Sequence, residues 1–160
     1  MNAEAGGVRV GMDVVTIEEV ADSLAIFGDR YVGRLFTEHE VASCRGSASS
    51  VAAGLAARFA AKEAAIKVLR PSTHQPEWRS IEVRRHPNGW CALHLSDSAA
   101  RLAREQGISD MAVSLTHDRA IAAAVVVALV DGDQSPEAWG SDGDGTGRVE
   151  RADGMSEETS

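Results

Sequence analysis

The chain has 160 residues and a formal net charge of −8, with 44% hydrophobic but only 4% aromatic residues, which suits one domain whose core is built from small aliphatic side chains. No apolar run approaches the roughly 18 residues of a membrane span and no secretory leader pattern is visible, so a soluble, cytoplasmic protein is expected. Residues 131–160 hold nine acids and two arginines, a net of −7, whereas residues 1–130 net −1. That last stretch also carries six glycines and almost no aliphatic side chains, so it reads as an acidic, disordered tail behind one folded domain at 1–130. Cys44 and Cys91 lie far apart in no metal-like spacing and read as free thiols.

In chain order, Val8 to Val15 reads as a valine-rich strand interrupted by Asp13. Thr16 opens a helix with Glu19 as a capping-box partner, and Gly28 can end it. Thr37 and Glu40 form a second such pattern ahead of a short helix through Val41 and Cys44. Gly46 to Ser50 is a small-residue loop. A long helix follows from about Ser50 to Arg70, where Pro71 stops it. Ile81 to Arg85 alternates like a strand, Asn88-Gly89 signals a hairpin turn, and Trp90 to Leu95 alternates again. Ser96 or Asp97 can cap a helix running to Gln106, with Gly107 at its end. Val113 to His117 and Ala120 to Val130 read as the last two strands. The order β-α-α-α-β-β-α-β-β predicts an α+β domain, an antiparallel sheet wrapped around or packed on the long helix.

That helix holds the densest set of charges beside apolar positions. Val51, Leu55, Phe59, Ile66 and Leu69 share one arc at 3.6 residues per turn, which predicts a single buried stripe. Lys62 points into the arc, with Arg58 on one border and Glu63 and Lys67 on the other. A lysine on a buried stripe must find an anion or reach water. Asp13 in its strand is costly unless it is paired or holds a cation. The plain alternatives are a strand-end aspartate that caps the next helix, an exposed Glu63–Lys67 pair, and a turn histidine without a role at His117. Taken together, two carboxylates, Asp13 and Glu63, can hold a Mg²⁺ that keeps several waters and binds substrate phosphate oxygens. Arg58, Lys62, Lys67 and His117 can neutralise a polyphosphate. That set suits phosphoryl-type transfer. No Walker A loop, GxGxxG or zinc spacing is present.

Several segments, in this order, resemble the holo-acyl-carrier-protein synthase family of small 4′-phosphopantetheinyl transferases. They are Gly11-Met12-Asp13-Val14-Val15, Phe36-Thr37-Glu38-His39-Glu40, Arg58-Phe59-Ala60-Ala61-Lys62-Glu63-Ala64, Trp78 to Val83, Asn88-Gly89 and Val113 to Asp118. The resemblance runs from about Val8 to Leu129. It implies transfer of 4′-phosphopantetheine from coenzyme A to a serine hydroxyl of an acyl carrier protein, releasing 3′,5′-adenosine bisphosphate. It implies that Asp13 and Glu63 hold Mg²⁺ against the pyrophosphate and that Lys62 assists the chemistry. Arg58, Lys67, Thr116 and His117 would meet coenzyme A. It also implies a homotrimer with sites at subunit interfaces. Neither a nucleic acid nor a membrane is expected as a partner.

The chain departs from the family pattern twice. Where the family tends to carry a carrier-docking arginine, about six residues after the strand aspartate, this chain has Glu19 beside Glu18. Arg30, Arg34 and Arg45 are candidates to replace it, and a specialised, polyketide-type carrier is the alternative. The connection after the long helix, Arg70 to Pro76, lacks the family's glycines. A non-catalytic module that binds coenzyme A or a carrier is the rival reading, and some other Mg²⁺-dependent enzyme acting on a nucleotide diphosphate is a third.

Overall fold

The computed structural model describes residues 6–131, so the tail expected at 131–160 lies, beyond its first residue, outside the described residues. A 22-residue helix, α4 (Ala48–Leu69), forms the axis of the fold. Fourteen of its residues are buried, and they point in all directions rather than along one stripe. The single apolar arc is thus corrected. Eight of the buried residues are alanines, which favour helix and present no bulk, so neighbours close in from every side.

Three antiparallel strands cover one side in the order β1-β5-β4, formed by β1 (Gly7–Thr16), β5 (Ile121–Val130) and β4 (Ile108–His117). A separate hairpin, β2 (Ile81–Arg85) with β3 (Cys91–Leu95), also packs against α4, beside β4. The face of β5 turned to the helix is Ala122, Ala124, Val126, Ala128 and Val130, all buried, and its small residues admit α4 closely. β1 comes closer still. A Cβ built on Gly11 would lie 2.1 Å from the Ala64 carbonyl oxygen, so only glycine lets this strand meet the helix. That contact brings Asp13, two residues on, to the same flank of α4. The opposite face of β1 leaves Val8, Val10, Met12 and Val14 each more than half exposed.

The remaining helices are α1 (Ile17–Phe27), α2 (Asp29–Leu35), α3 (Glu38–Ser43) and α5 (Asp97–Glu105). Gly28, at φ 50°, ends α1 as expected and turns the chain directly into α2, a seven-residue helix too short for the sequence pattern to reveal. A 3₁₀ turn at Trp78–Ser80 is likewise new. β4 starts at Ile108 rather than Val113, because Gly107 (φ 63°) leads straight into the strand. Thr16 precedes α1 but makes no capping hydrogen bond through its side chain, so the first capping box does not form. The second does. The Thr37 hydroxyl accepts from the Glu40 N–H at 3.2 Å, and the Glu40 carboxylate accepts from the Thr37 N–H at 2.9 Å.

Candidate active site

The charged side chains singled out on α4 fall into three separate environments. Consecutive residues of a helix are turned by about 100°, so each neighbour meets a different part of the surrounding shell.

The first environment is sealed. Lys62 and Glu40 are both 0% exposed and pair at 2.9 Å. The other two Lys62 protons go to the carbonyls of Trp78 and Ile81, and its ammonium lies 5.7 Å from the centre of the Phe36 ring. Glu40 spends its remaining lone pairs on the Thr37 and Val83 N–H groups. One ion pair thus ties together α3, α4, the 3₁₀ turn and β2. Burial pushes the Lys62 pKa down, and Glu40 pulls it part of the way back. The lysine has found the anion that its position demanded. All three of its protons are committed and it has no exposed surface, so Lys62 touches neither of the two more open environments.

The second environment is open. Lys67, 51% exposed, donates to the Asp13 carboxylate at 2.9 Å and to the Met12 carbonyl at 2.6 Å. Asp13 is 21% exposed. Glu63, one helical turn before Lys67, is half-buried beside them. Its carboxyl pKa is raised, first by burial and then by the nearby Asp13, while Lys67 works the other way. Two carboxylates close enough to repel, at the surface and with a single lysine between them and neutrality, make a place where a cation is favoured. Among the described residues no group of three or more His, Cys, Asp or Glu could enclose a metal. A cation that needs a full protein cage is therefore not served, but Mg²⁺, which takes one or two carboxylates and keeps its waters, fits Asp13 and Glu63.

The third environment is a cavity of about 350 Å³ between α4, the α3–α4 connection, the β2–β3 hairpin and the end of β4. Arg45, Arg58, Arg85, Thr116 and His117 line it, and among the described residues no carboxylate does. Arg58 is 5% exposed and donates to the Gly54 carbonyl at 3.0 Å and the Ser43 hydroxyl at 2.7 Å, while its Nε has no partner among the described residues. A buried guanidinium without an anionic partner among the described residues, in a pocket with two more arginines and a histidine, has the chemistry to suit an anion such as phosphate.

The structure therefore brings Asp13, Glu63 and Lys67 together, and separately Arg58, Thr116 and His117. It sets Lys62 apart from both. Sequence reasoning missed Arg85 and the two cysteines as cavity residues and saw Glu40 only as a cap. The signal for Glu40 was weak, since it lies 22 positions from Lys62 and on a different helix. Among the described residues no helix is long and apolar enough to cross a membrane.

A family profile for the 4′-phosphopantetheinyl transferase superfamily matches residues 9–126. A holo-[acyl-carrier-protein] synthase of Moorella thermoacetica is 39% identical over 130 residues, covering 81% of this chain and 98% of the relative. One from Halothermothrix orenii is 34% identical over 118 residues, covering 74% and 94%. Among solved structures, the Chronobacterium ammoniagenes ACPS–CoA complex is similar with a TM-score of 0.69 at 31% identity, covering 76% of this chain and 96% of that one.

Proposed function

This chain belongs to the 4′-phosphopantetheinyl transferase superfamily, among the holo-[acyl-carrier-protein] synthases, and on that premise we propose that it moves 4′-phosphopantetheine from coenzyme A to a carrier-protein serine in a Mg²⁺-dependent reaction at Asp13 and Glu63. The observation that carries the metal dependence is the open carboxylate pair with Lys67 at its edge. When bound there, Mg²⁺ supplies charge neutralisation on the pyrophosphate. Lys67, exposed and already reaching between the strand and the helix, turns its ammonium to the phosphate oxygens that gain charge as the pyrophosphate bond breaks. The serine proton is left to Asp13, Glu63 or a bound water, since Lys62 presents no surface. Lys62 acts as a positioning residue. By joining α4 to α3 and β2 it fixes the helix from which Glu63 and Lys67 project.

The arginine-lined cavity takes the phosphate-bearing adenosine end of coenzyme A, with Arg58, Thr116 and His117 in contact. Arg58 and Glu63 are five residues apart, which turns them by about 140° around the helix and places them on different sides of it. One coenzyme A therefore bridges them most simply if the cavity of one copy faces the carboxylates of another. The exposed apolar face of β1, with Ile121 and Leu129 of β5 also about half exposed, offers the surface for such association, and a homotrimer is the assembly we propose. The two free cysteines suit a reducing cytoplasm. A specialised, polyketide-type carrier remains part of this reading.

Intact-mass spectrometry of apo carrier proteins incubated with the chain, coenzyme A and Mg²⁺ tests it. The expected result is a gain of one phosphopantetheine mass that disappears with a chelator. No gain on any of several carriers, with coenzyme A still bound, would leave a binding module instead.

A further inference from the structure

Both cysteines of the chain line the arginine-bearing cavity, and the proposed transfer uses neither. Both are free thiols, and neither is fully buried. They come from separate segments: Cys44 caps the end of α3, and Cys91 opens β3. Each has its own setting. A Cβ built on Gly54 would lie 2.9 Å from the Cys44 sulfur, so only the missing side chain there makes room for this thiol. A glycine is a poor choice on propensity in the interior of an alanine-rich helix, and the sulfur accounts for it. Burial pushes the Cys44 thiol up, toward its protonated form, and Arg58 opposes it. Cys91 stands directly across the hairpin from Arg85. Cβ atoms of such a pair lie roughly 4.5–5.5 Å apart. Alternation puts the two on the face that carries Ile81 and Val83 inward, so an anion drawn to Arg85 arrives beside the Cys91 sulfur.

A second observation marks the cavity independently of its thiols. Arg58 is 5% exposed, and its Nε has no partner among the described residues. The volume of about 350 Å³ falls within the range of small-molecule sites, roughly 300–1,000 Å³. We propose that this cavity is a site of reversible S-thiolation, in which Cys91 exchanges with an anionic low-molecular-weight disulfide whose carboxylates the arginines hold. The inference rests on the reading of the cavity as the seat of the phosphate-bearing end of coenzyme A, and it adds a means of regulating that seat. In the exchange Cys91 gives its proton to solvent, and the thiolate attacks one sulfur of the disulfide. A bond forms between Cys91 and that sulfur, the reagent's own S–S bond breaks, and its other half leaves as a thiolate. The disulfide is the oxidant, and no further reagent is needed. The adduct occupies the space of the donor's phosphates, so transfer stops until a free thiol reverses the exchange.

The test treats the full chain with glutathione disulfide, which is anionic, and with cystamine, a cationic disulfide. Intact mass and peptide mapping follow the adduct, and each rate is divided by that of a free small thiol with the same reagent. The expected result is one glutathione on Cys91, with the corrected rates favouring the anionic reagent on the order of tenfold at low salt and approaching parity at high salt. Prior addition of 3′,5′-adenosine bisphosphate should slow the reaction. The adduct should abolish calorimetric binding of coenzyme A and transfer to a carrier, and dithiothreitol should restore both. C44S should still take the adduct, whereas C91S should take none and transfer at a rate that the reagent does not alter. An adduct on Cys44, an internal Cys44–Cys91 disulfide, no preference for the anionic reagent, or an adduct that leaves coenzyme A binding unchanged each overturns the inference while the transferase stands. An untreated chain that transfers to no carrier, yet forms a Cys91 adduct that inorganic phosphate blocks, overturns the transferase reading and keeps the thiol site.

Discussion

Lys62 and Glu63 are adjacent in sequence and opposite in circumstance. Lys62 is fully enclosed, with a carboxylate, two carbonyls and an aromatic ring around its ammonium. Glu63 is half-buried beside a second carboxylate, and burial first, then that neighbour, raises its pKa. The same helix therefore carries a satisfied charge and a frustrated one, about 100° apart. A satisfied buried charge organises the fold, and a frustrated, half-buried one at the surface suits a ligand. On the proposed reading Lys62 serves stability and Glu63 serves chemistry, and substitutions at each can separate the two.

The largest effect is expected on the sealed side. Lys62→Met leaves Glu40 charged, buried and short of its partner, so unfolding free energy should fall by about 3–5 kcal/mol, read from the denaturant midpoint. Adding Glu40→Gln removes the stranded charge, and the double variant should lose less than the two single losses summed. A loss below about 1 kcal/mol in the single variant would mean that the pair does not hold the junction.

On the open side the balance reverses. Glu63→Gln should lower kcat on the order of a hundredfold or more while leaving the melting temperature level or higher, because a carboxylate held against another carboxylate is no asset to the fold. A variant that melts early and loses turnover only in proportion to unfolded protein would make Glu63 structural and erase the contrast.

The same residue sets a pH dependence whose sign is fixed. The folded-state pKa of Glu63 lies above its ordinary 4.5, first because of burial and then because of Asp13. Between those two values the folded chain binds a proton that the unfolded chain has lost, so stability declines as pH rises from about 4.5 through the raised value. Glu63→Gln should remove this part of the decline. Mg²⁺ at neutral pH should offset it in the native chain and have little effect in the variant, both read by thermal unfolding. An equal response to Mg²⁺ in both proteins would place the cation elsewhere.

Much of this was legible in the sequence because it rests on local signals. The first strand, the Asn88-Gly89 hairpin and the long helix all announce themselves through neighbours in sequence. The limits of such signals show in the two capping patterns. Thr16–Glu19 and Thr37–Glu40 look alike, yet only the second forms, because Lys62 and the Val83 N–H hold the Glu40 carboxylate in place from outside the helix. No local pattern carries that information. The helical wheel separated Arg58, Lys62 and Glu63 by angle but did not reveal which wall each would meet. It also gave the alanines of α4 no part, whereas eight of them are buried contact surface of the helix. The cavity was the least visible feature, since its arginines come from three separate segments.

The smallest expected change in stability is the most discriminating in function. Lys67 is half exposed, so its ion pair with Asp13 is screened by water and should contribute no more than about 1 kcal/mol. Lys67→Ala should therefore leave the melting curve almost unmoved. If Lys67 meets the charge that develops on the phosphate, the same variant loses kcat with little change in KM for coenzyme A, because the interaction strengthens only as the bond breaks. Lys67→Arg keeps the charge but is bulkier, and should restore part of the rate. A rise in KM alone would make Lys67 a ground-state contact for the donor. Loss of stability comparable to that of Lys62→Met would mean that the two sides of the helix are not distinct after all.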